Sequence, residues 1–122
     1  MLFRSMKNLV GALCMVFASL AAAHTQLKSS VPAPKGTVAA PVREIELEFG
    51  GDVRLTAVVL TDGQGGQKKV ADVPTKVASR FAVAVQEDLG PGAYTVTWRA
   101  VGADTHVVSG DFAFTVSTAA PR

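Results

Sequence analysis

Beyond residue 23 the sequence has no cysteine and no methionine; Met1, Met6, Cys14 and Met15 all precede that point. The later chain therefore has no disulfide framework, no thiolate metal centre and no thioether ligand for a soft ion such as Cu(I). Histidine is nearly absent too, with only His24 and His106. No Ser/His/Asp set is recognisable, so triad chemistry has no residues to carry it. Net charge is also missing. After residue 23, ten Lys and Arg balance ten Asp and Glu, and the formal net charge of +2 comes from Arg4 and Lys7. Such a chain has no electrostatic footprint for nucleic acid. The one long uncharged apolar run, 9–22, is shorter than the roughly 20 residues that a membrane-spanning helix needs.

That run has the layout of an export signal. Arg4 and Lys7 form a basic start, the apolar stretch follows, and Ala21-Ala22-Ala23 supplies the small residues a signal peptidase requires. Cys14 sits too early in the run, behind the bulky Leu13, to mark a lipoprotein site. The expected organisation is a cleaved secretory signal over 1–23, one β domain over 24–117 and a frayed tail over 118–122. Cleavage leaves 99 residues, enough for one small domain.

The remaining chain alternates with the period of a strand. Ile45, Leu47 and Phe49 fall on one face and Glu44, Glu46 and Glu48 on the other, which reads as a half-buried strand with a solvated side. Tyr94, Val96, Trp98 and Ala100 alternate likewise against Thr95, Thr97 and Arg99. Phe112, Phe114 and Val116 form the inward face of the last strand. Strands are expected at 25–31, 42–49, 53–60, 67–73, 77–85, 93–101 and 110–116. Turns are expected at Lys35-Gly36-Thr37, Asp62 to Gly66 and Leu89 to Gly92, and Gly50-Gly51-Asp52 is read as a strand break. The glycine-rich Asp62 to Gly66 stretch lacks the spacing and following helix of a phosphate loop. Seven short strands with regular turn signals predict an all-β, seven-stranded Greek-key β-sandwich.

Cleavage after Ala23 would make His24 the first residue. Its free α-amine and ring Nδ1 could then close a chelate ring on one ion. If successive strands run antiparallel, parity returns the loop between strands six and seven to the end where the chain begins. That loop carries Asp104 and His106, which at spacing i, i+2 can face one side of an extended segment. His24, Asp104 and His106 together offer three nitrogens and one oxygen, a tetragonal set that favours Cu(II). Zn(II) could use the same groups but prefers a tetrahedron.

Three stretches resemble the CopC family of copper-resistance proteins. His24 to Ala33 is similar to the family's opening, and Val42 to Phe49 to its Pro-x-x-Val-x-Leu-x-Phe strand. Gly92 to Val101, followed by Asp104-Thr105-His106 and Ser109 to Val116, resembles its Tyr-x-Val-x-Trp, Asp-Gly-His and Ser-Gly-x-Phe-x-Phe-x-Val signature. The resemblance implies a cupredoxin-like or immunoglobulin-like sandwich in the periplasm. It also implies a non-enzymatic role, with one Cu(II) per mature chain held by His24, Asp104 and His106. A CopD-like inner-membrane copper transporter is the partner it suggests, for a monomer that is not membrane-embedded. The lack of methionine after Met15 aligns the chain with Cu(II)-only members. It departs from the family pattern at Thr105, where Gly is usual, and at Val107, where Pro is frequent.

Two other readings stay open. A histidine-brace copper monooxygenase also uses an N-terminal histidine and a second histidine, but presents a flat aromatic surface, whereas the few aromatics here fall mostly on inward faces. A metal-free β-sandwich interaction module would show no metal affinity and an exposed apolar patch or strand edge.

Overall fold

The computed structural model describes residues 26–118. These residues form strands and no helix: β1 (Leu27–Val31), β2 (Thr37–Ala39), β3 (Glu44–Asp62), β4 (Gln67–Lys68), β5 (Val77–Ala84), β6 (Gly92–Gly102) and β7 (Val107–Ser117). The all-β sandwich is as expected, but the seven strands are partitioned differently. The stretches 42–49 and 53–60 are not two strands; they join in the 19-residue β3. Gly50-Gly51-Asp52 therefore bends the strand without ending it. Against β5 the register shifts between Glu48 and Val53, so the extra residues form a bulge that turns the ladder.

The long strand organises the molecule. Its first half pairs with β1, its second half with β6 and β4, and β5 runs beside both halves. β7 pairs with β6, and all of these ladders are antiparallel. β2 is the exception. Thr37, expected to end a turn, instead opens the short strand Thr37–Ala39, which adds in parallel to Thr115–Ser117 of β7. The expected strand at 67–73 shrinks to two residues plus an isolated Val70–Val85 bridge, because Pro74 and the following loop lead the chain off the edge. The last strand begins at Val107, not at 110.

Inward alternation follows the sequence pattern. Ile45, Leu47, Phe49, Val53 and Leu55 are buried from β3, and Tyr94, Val96, Trp98 and Ala100 from β6. β7 contributes Phe112, Phe114 and Val116. A bulge between Leu55 and Ala57 moves the inward phase, so Val58 and Leu60 close the far end of the core. Phe49 joins the two layers. Its ring lies edge-on to Trp98 at 5.2 Å and to Phe81 at 6.1 Å. The Tyr94 hydroxyl donates to the Gly90 carbonyl at 2.7 Å, the tyrosine corner of immunoglobulin-like sandwiches. The glutamate row faces water as expected, with Glu48 tied to Arg80 and Lys28.

Candidate metal centre

Two pairings bring distant parts of the chain to one place. The Gly50 N–H donates to the Gln26 carbonyl at 2.9 Å, just ahead of the Leu27–Phe49 pair that starts the β1 ladder. Gly102, the last residue of β6, pairs with Val53. Both partners lie on the same edge of β3, on either side of Gly51-Asp52. The start of β1 and the β6–β7 loop are thus separated by three residues of β3, about 10 Å of extended backbone. The expected parity of successive antiparallel strands does not produce this, since two of the counted strands are one, β2 adds in parallel, and β1 and β6 both run antiparallel to β3; the bend of β3 brings the two segments together. His24 lies two residues before Gln26 and is outside the described residues.

The β6–β7 loop is a tight hairpin connection. The Thr105 N–H donates to the Gly102 carbonyl at 2.9 Å, and the Gly102 N–H to the His106 carbonyl at 3.0 Å. Ala103-Asp104-Thr105 is therefore a three-residue loop whose last residue must be left-handed, a role that Gly performs most readily. Thr105 has φ +67°, where a β-branched side chain is strained by about 1–2 kcal/mol. Thr105→Gly is expected to stabilise the protein by about 1 kcal/mol, after the loss of unfolded-state restriction. Urea midpoints of the two forms check it.

That turn presents Asp104 and His106 to solvent on one side, with their side chains 54% and 79% exposed. The Asp104 carboxylate accepts twice from His106. Oδ1 takes the backbone N–H at 3.1 Å, and Oδ2 lies 2.9 Å from ring Nδ1. While that contact carries a proton on Nδ1, the free ring donor for a metal is Nε2, and Asp104 orients the ring. When the bridging proton leaves, both atoms become donors. Among the described residues no group of three His, Cys, Asp or Glu converges, so this pair offers two donors.

Each partner shifts the other's protonation. The hydrogen bond from the His106 ring holds the Asp104 carboxyl below its usual range, and the same bond raises the His106 imidazole above its ordinary value. The sign of the linkage follows. The His106 contribution to stability is complete below the unfolded imidazole value and is lost as pH rises through the raised one. The Asp104 contribution is complete above the unfolded carboxyl value and is lost as pH falls through the lowered one. NMR titration of the metal-free protein should place the His106 midpoint above the ordinary imidazole range. Asp104→Asn should bring it back down, and an unchanged midpoint would show that the contact does not persist in solution. The proton held on Nδ1 competes with a metal, so binding through this pair strengthens as pH rises.

The family model of the CopC domain matches residues 27–117, from the first residue of β1 to the last of β7. A copper resistance protein C from Escherichia coli is 39% identical over 118 residues, covering 88% of this chain and 93% of that protein. Another from Pseudomonas syringae pv. tomato is 32% identical, over 84% and 87% of the two chains. The chain belongs to the CopC family. Among solved structures, CopC from Methylosinus trichosporium OB3b superposes with a TM-score of 0.69 at 26% identity, over 81% of this chain and 99% of that one. The copper resistance protein PcoC from Escherichia coli gives 0.65 at 33%, over 75% and 99%. Family membership groups the chain with copper resistance proteins and not with enzymes.

The sequence reading missed the continuity of β3, although the pattern carried a sign of it. Phe49 and Val53 have the same parity, so the inward alternation keeps its phase across the glycines. It also placed Tyr94 only in the core, without the hydroxyl's bond to Gly90.

Proposed function

We propose that this CopC-family chain is exported, cleaved after Ala23, and binds one Cu(II) in the periplasm to buffer it or hand it on. His24 would contribute its α-amine and ring, His106 its imidazole and Asp104 a carboxylate oxygen. A CopD-like inner-membrane transporter is the recipient or donor we favour, with the mature protein a monomer. The observation that carries this reading is the convergence on one bend of β3. Gln26 and the loop bearing the hydrogen-bonded Asp104–His106 pair flank it on the same edge.

Copper family membership and the absence of methionine after Met15 support the oxidation state. With hard-to-intermediate N and O donors only, the site suits Cu(II) over Cu(I). A related Escherichia coli structure is described as a methionine-rich copper resistance protein, and its thioethers have no counterpart in the later part of this chain. The test is a Cu(II) titration of the chain beginning at His24, followed by EPR. One tightly held ion with a nitrogen-rich tetragonal signal is expected. No binding, or a signal without nitrogen ligands, would overturn the assignment.

A further inference from the structure

The outer edge of β7 is bare where it leaves the histidine loop. β7 pairs with β6 along its length, but with β2 only over Thr115–Ser117. The chain ahead of β2 extends that cover a little, as the Lys35 N–H donates to the Ala113 carbonyl and the Thr115 N–H to the Gly36 carbonyl. Before that, the turn that bonds Gly36 to Ala33, with Lys35 left-handed at φ +63°, carries the chain off the edge. Pro34 has no N–H with which to continue. Ala113 and Thr115 thus turn their backbone groups outward. In an antiparallel ladder without a register shift every second residue does the same. The N–H and C=O groups of Val107, Ser109 and Asp111 therefore face out, and among the described residues no strand pairs with them. The outer edge of β1 is guarded by Lys28 at a register shift and by Pro32 just beyond it. The stretch 107–111 has no lysine, no proline and no shift.

Beside this edge sits a buried donor without a partner. Trp98 is only 6% exposed, yet among the described residues its indole N–H makes no hydrogen bond. A buried tryptophan N–H ordinarily has an acceptor. Its Nε1 lies 3.2 Å, and Cζ2 2.8 Å, from where a Cβ of Gly110 would stand. The ring edge that carries the N–H thus lies over Gly110, in the bare stretch. Gly110 puts no side chain between that N–H and a strand added outside β7.

We infer that the open edge of β7 is a strand-addition site for an extended segment of a partner protein, whose residue opposite Gly110 carries a hydrogen-bond acceptor for the Trp98 indole. Backbone complementarity selects the occupant, because only an extended main chain repeats N–H and C=O groups at the spacing of Val107, Ser109 and Asp111. A second copy cannot use the whole edge. Two β7 strands paired antiparallel about Ser109 would set Thr105 of one against Ala113 of the other, whose outer edge Lys35 already covers. A short free segment meets no such obstacle. Val107 directly follows His106, so a partner bound here lies beside the candidate copper loop. The inference goes beyond copper binding and does not depend on it.

The probe is a synthetic acetyl-Thr-Asn-Thr-Val-Thr amide, uncharged so that ion pairing plays no part. Paired antiparallel, it sets its asparagine opposite Gly110 and its threonine N–H groups toward β7. It is titrated by NMR into the copper-free, isotope-labelled chain that begins at His24. Saturable shifts centred on the amides of Val107, Ser109 and Asp111 are expected, with slower hydrogen exchange at all three and a moved Trp98 indole N–H signal. Methylating the three threonine nitrogens removes the donors that face β7, and should weaken binding at least roughly tenfold. Replacing the asparagine by leucine should leave the edge shifts centred on the same amides while weakening binding several-fold and returning the indole signal to its free position. Equal binding of the methylated peptide, shifts centred on another edge, or no binding would overturn the strand-addition site. Concentration-dependent shifts of the edge amides without peptide would assign the edge to a second copy. An indole signal that stays fixed throughout would overturn the role of Trp98. Cu(II) titration of the same chain reads the copper site separately, so either reading can fail without the other.

Discussion

Adding a single residue before His24 is expected to weaken Cu(II) binding on the order of a hundredfold or more, beyond what loss of an outer-shell partner costs. The extension converts the α-amine into an amide, which no longer offers a basic lone pair. The ring nitrogen remains, but the chelate it closes with the amine is lost. The described part of the site contributes only the Asp104–His106 pair, so the effect on affinity is not shared among many donors. Isothermal titration of the two forms, with EPR of each, reads the result. Equal affinity and identical spectra would show that the terminal amine is not a ligand, and the role proposed for His24 would fall. The extension changes no residue of the sandwich, so a folding defect cannot mimic the outcome.

The largest effect on stability is expected at Gly110. This residue pairs directly with Trp98 across the β6–β7 ladder. A Cβ built there would lie 2.8 Å from Cζ2 of the indole, 3.1 Å from Cε2 and 3.2 Å from Nε1. The indole cannot swing away freely, because it is 6% exposed and its ring meets Phe49 edge-on. Gly110→Ala should therefore cost about 1–3 kcal/mol through overpacking. For a domain of this size the melting temperature should fall by roughly 4–8 °C per kcal/mol. Trp98→Phe alone should also destabilise, by leaving a void. Combined, the smaller ring makes room for the methyl group, and the double variant should lose less than the sum of the two. Strict additivity in that cycle would place the clash elsewhere.

Much of this molecule could be read from alternation. Ile45, Leu47, Phe49 and the Tyr94 to Ala100 series lie inward as their spacing demands, because a one-residue slip would expose the whole apolar set. The turn at Asp62 was legible for a similar reason, as a carboxylate there can accept the N–H groups of Gln64 and Gly66. What escaped depends on partners remote in sequence. Gly50 and Gly51 look like a break locally, yet the ladders on both sides carry the strand through them. Thr37–Ala39 has no alternation of its own and becomes a strand only because the end of β7 offers an open edge. At the candidate site, the extended segment expected from Asp104 to His106 is instead a tight turn, and the turn holds the two side chains together. Spacing alone did not disclose that they bond to each other, nor that Thr105 holds a left-handed backbone between them.

The long β3 also sets how the protein breathes. Because β1, β4, β5 and β6 all pair with it, the two layers have no separate ladder along which one could peel from the other. Amide protons at its centre should exchange with solvent only when the whole domain opens, whereas the two-residue β4 can fray alone. The bend that gathers the start of β1 and the histidine loop lies within that last-to-open segment. The donors proposed beside it would keep their spacing through the smaller fluctuations of the fold, which would favour slow release of a bound ion.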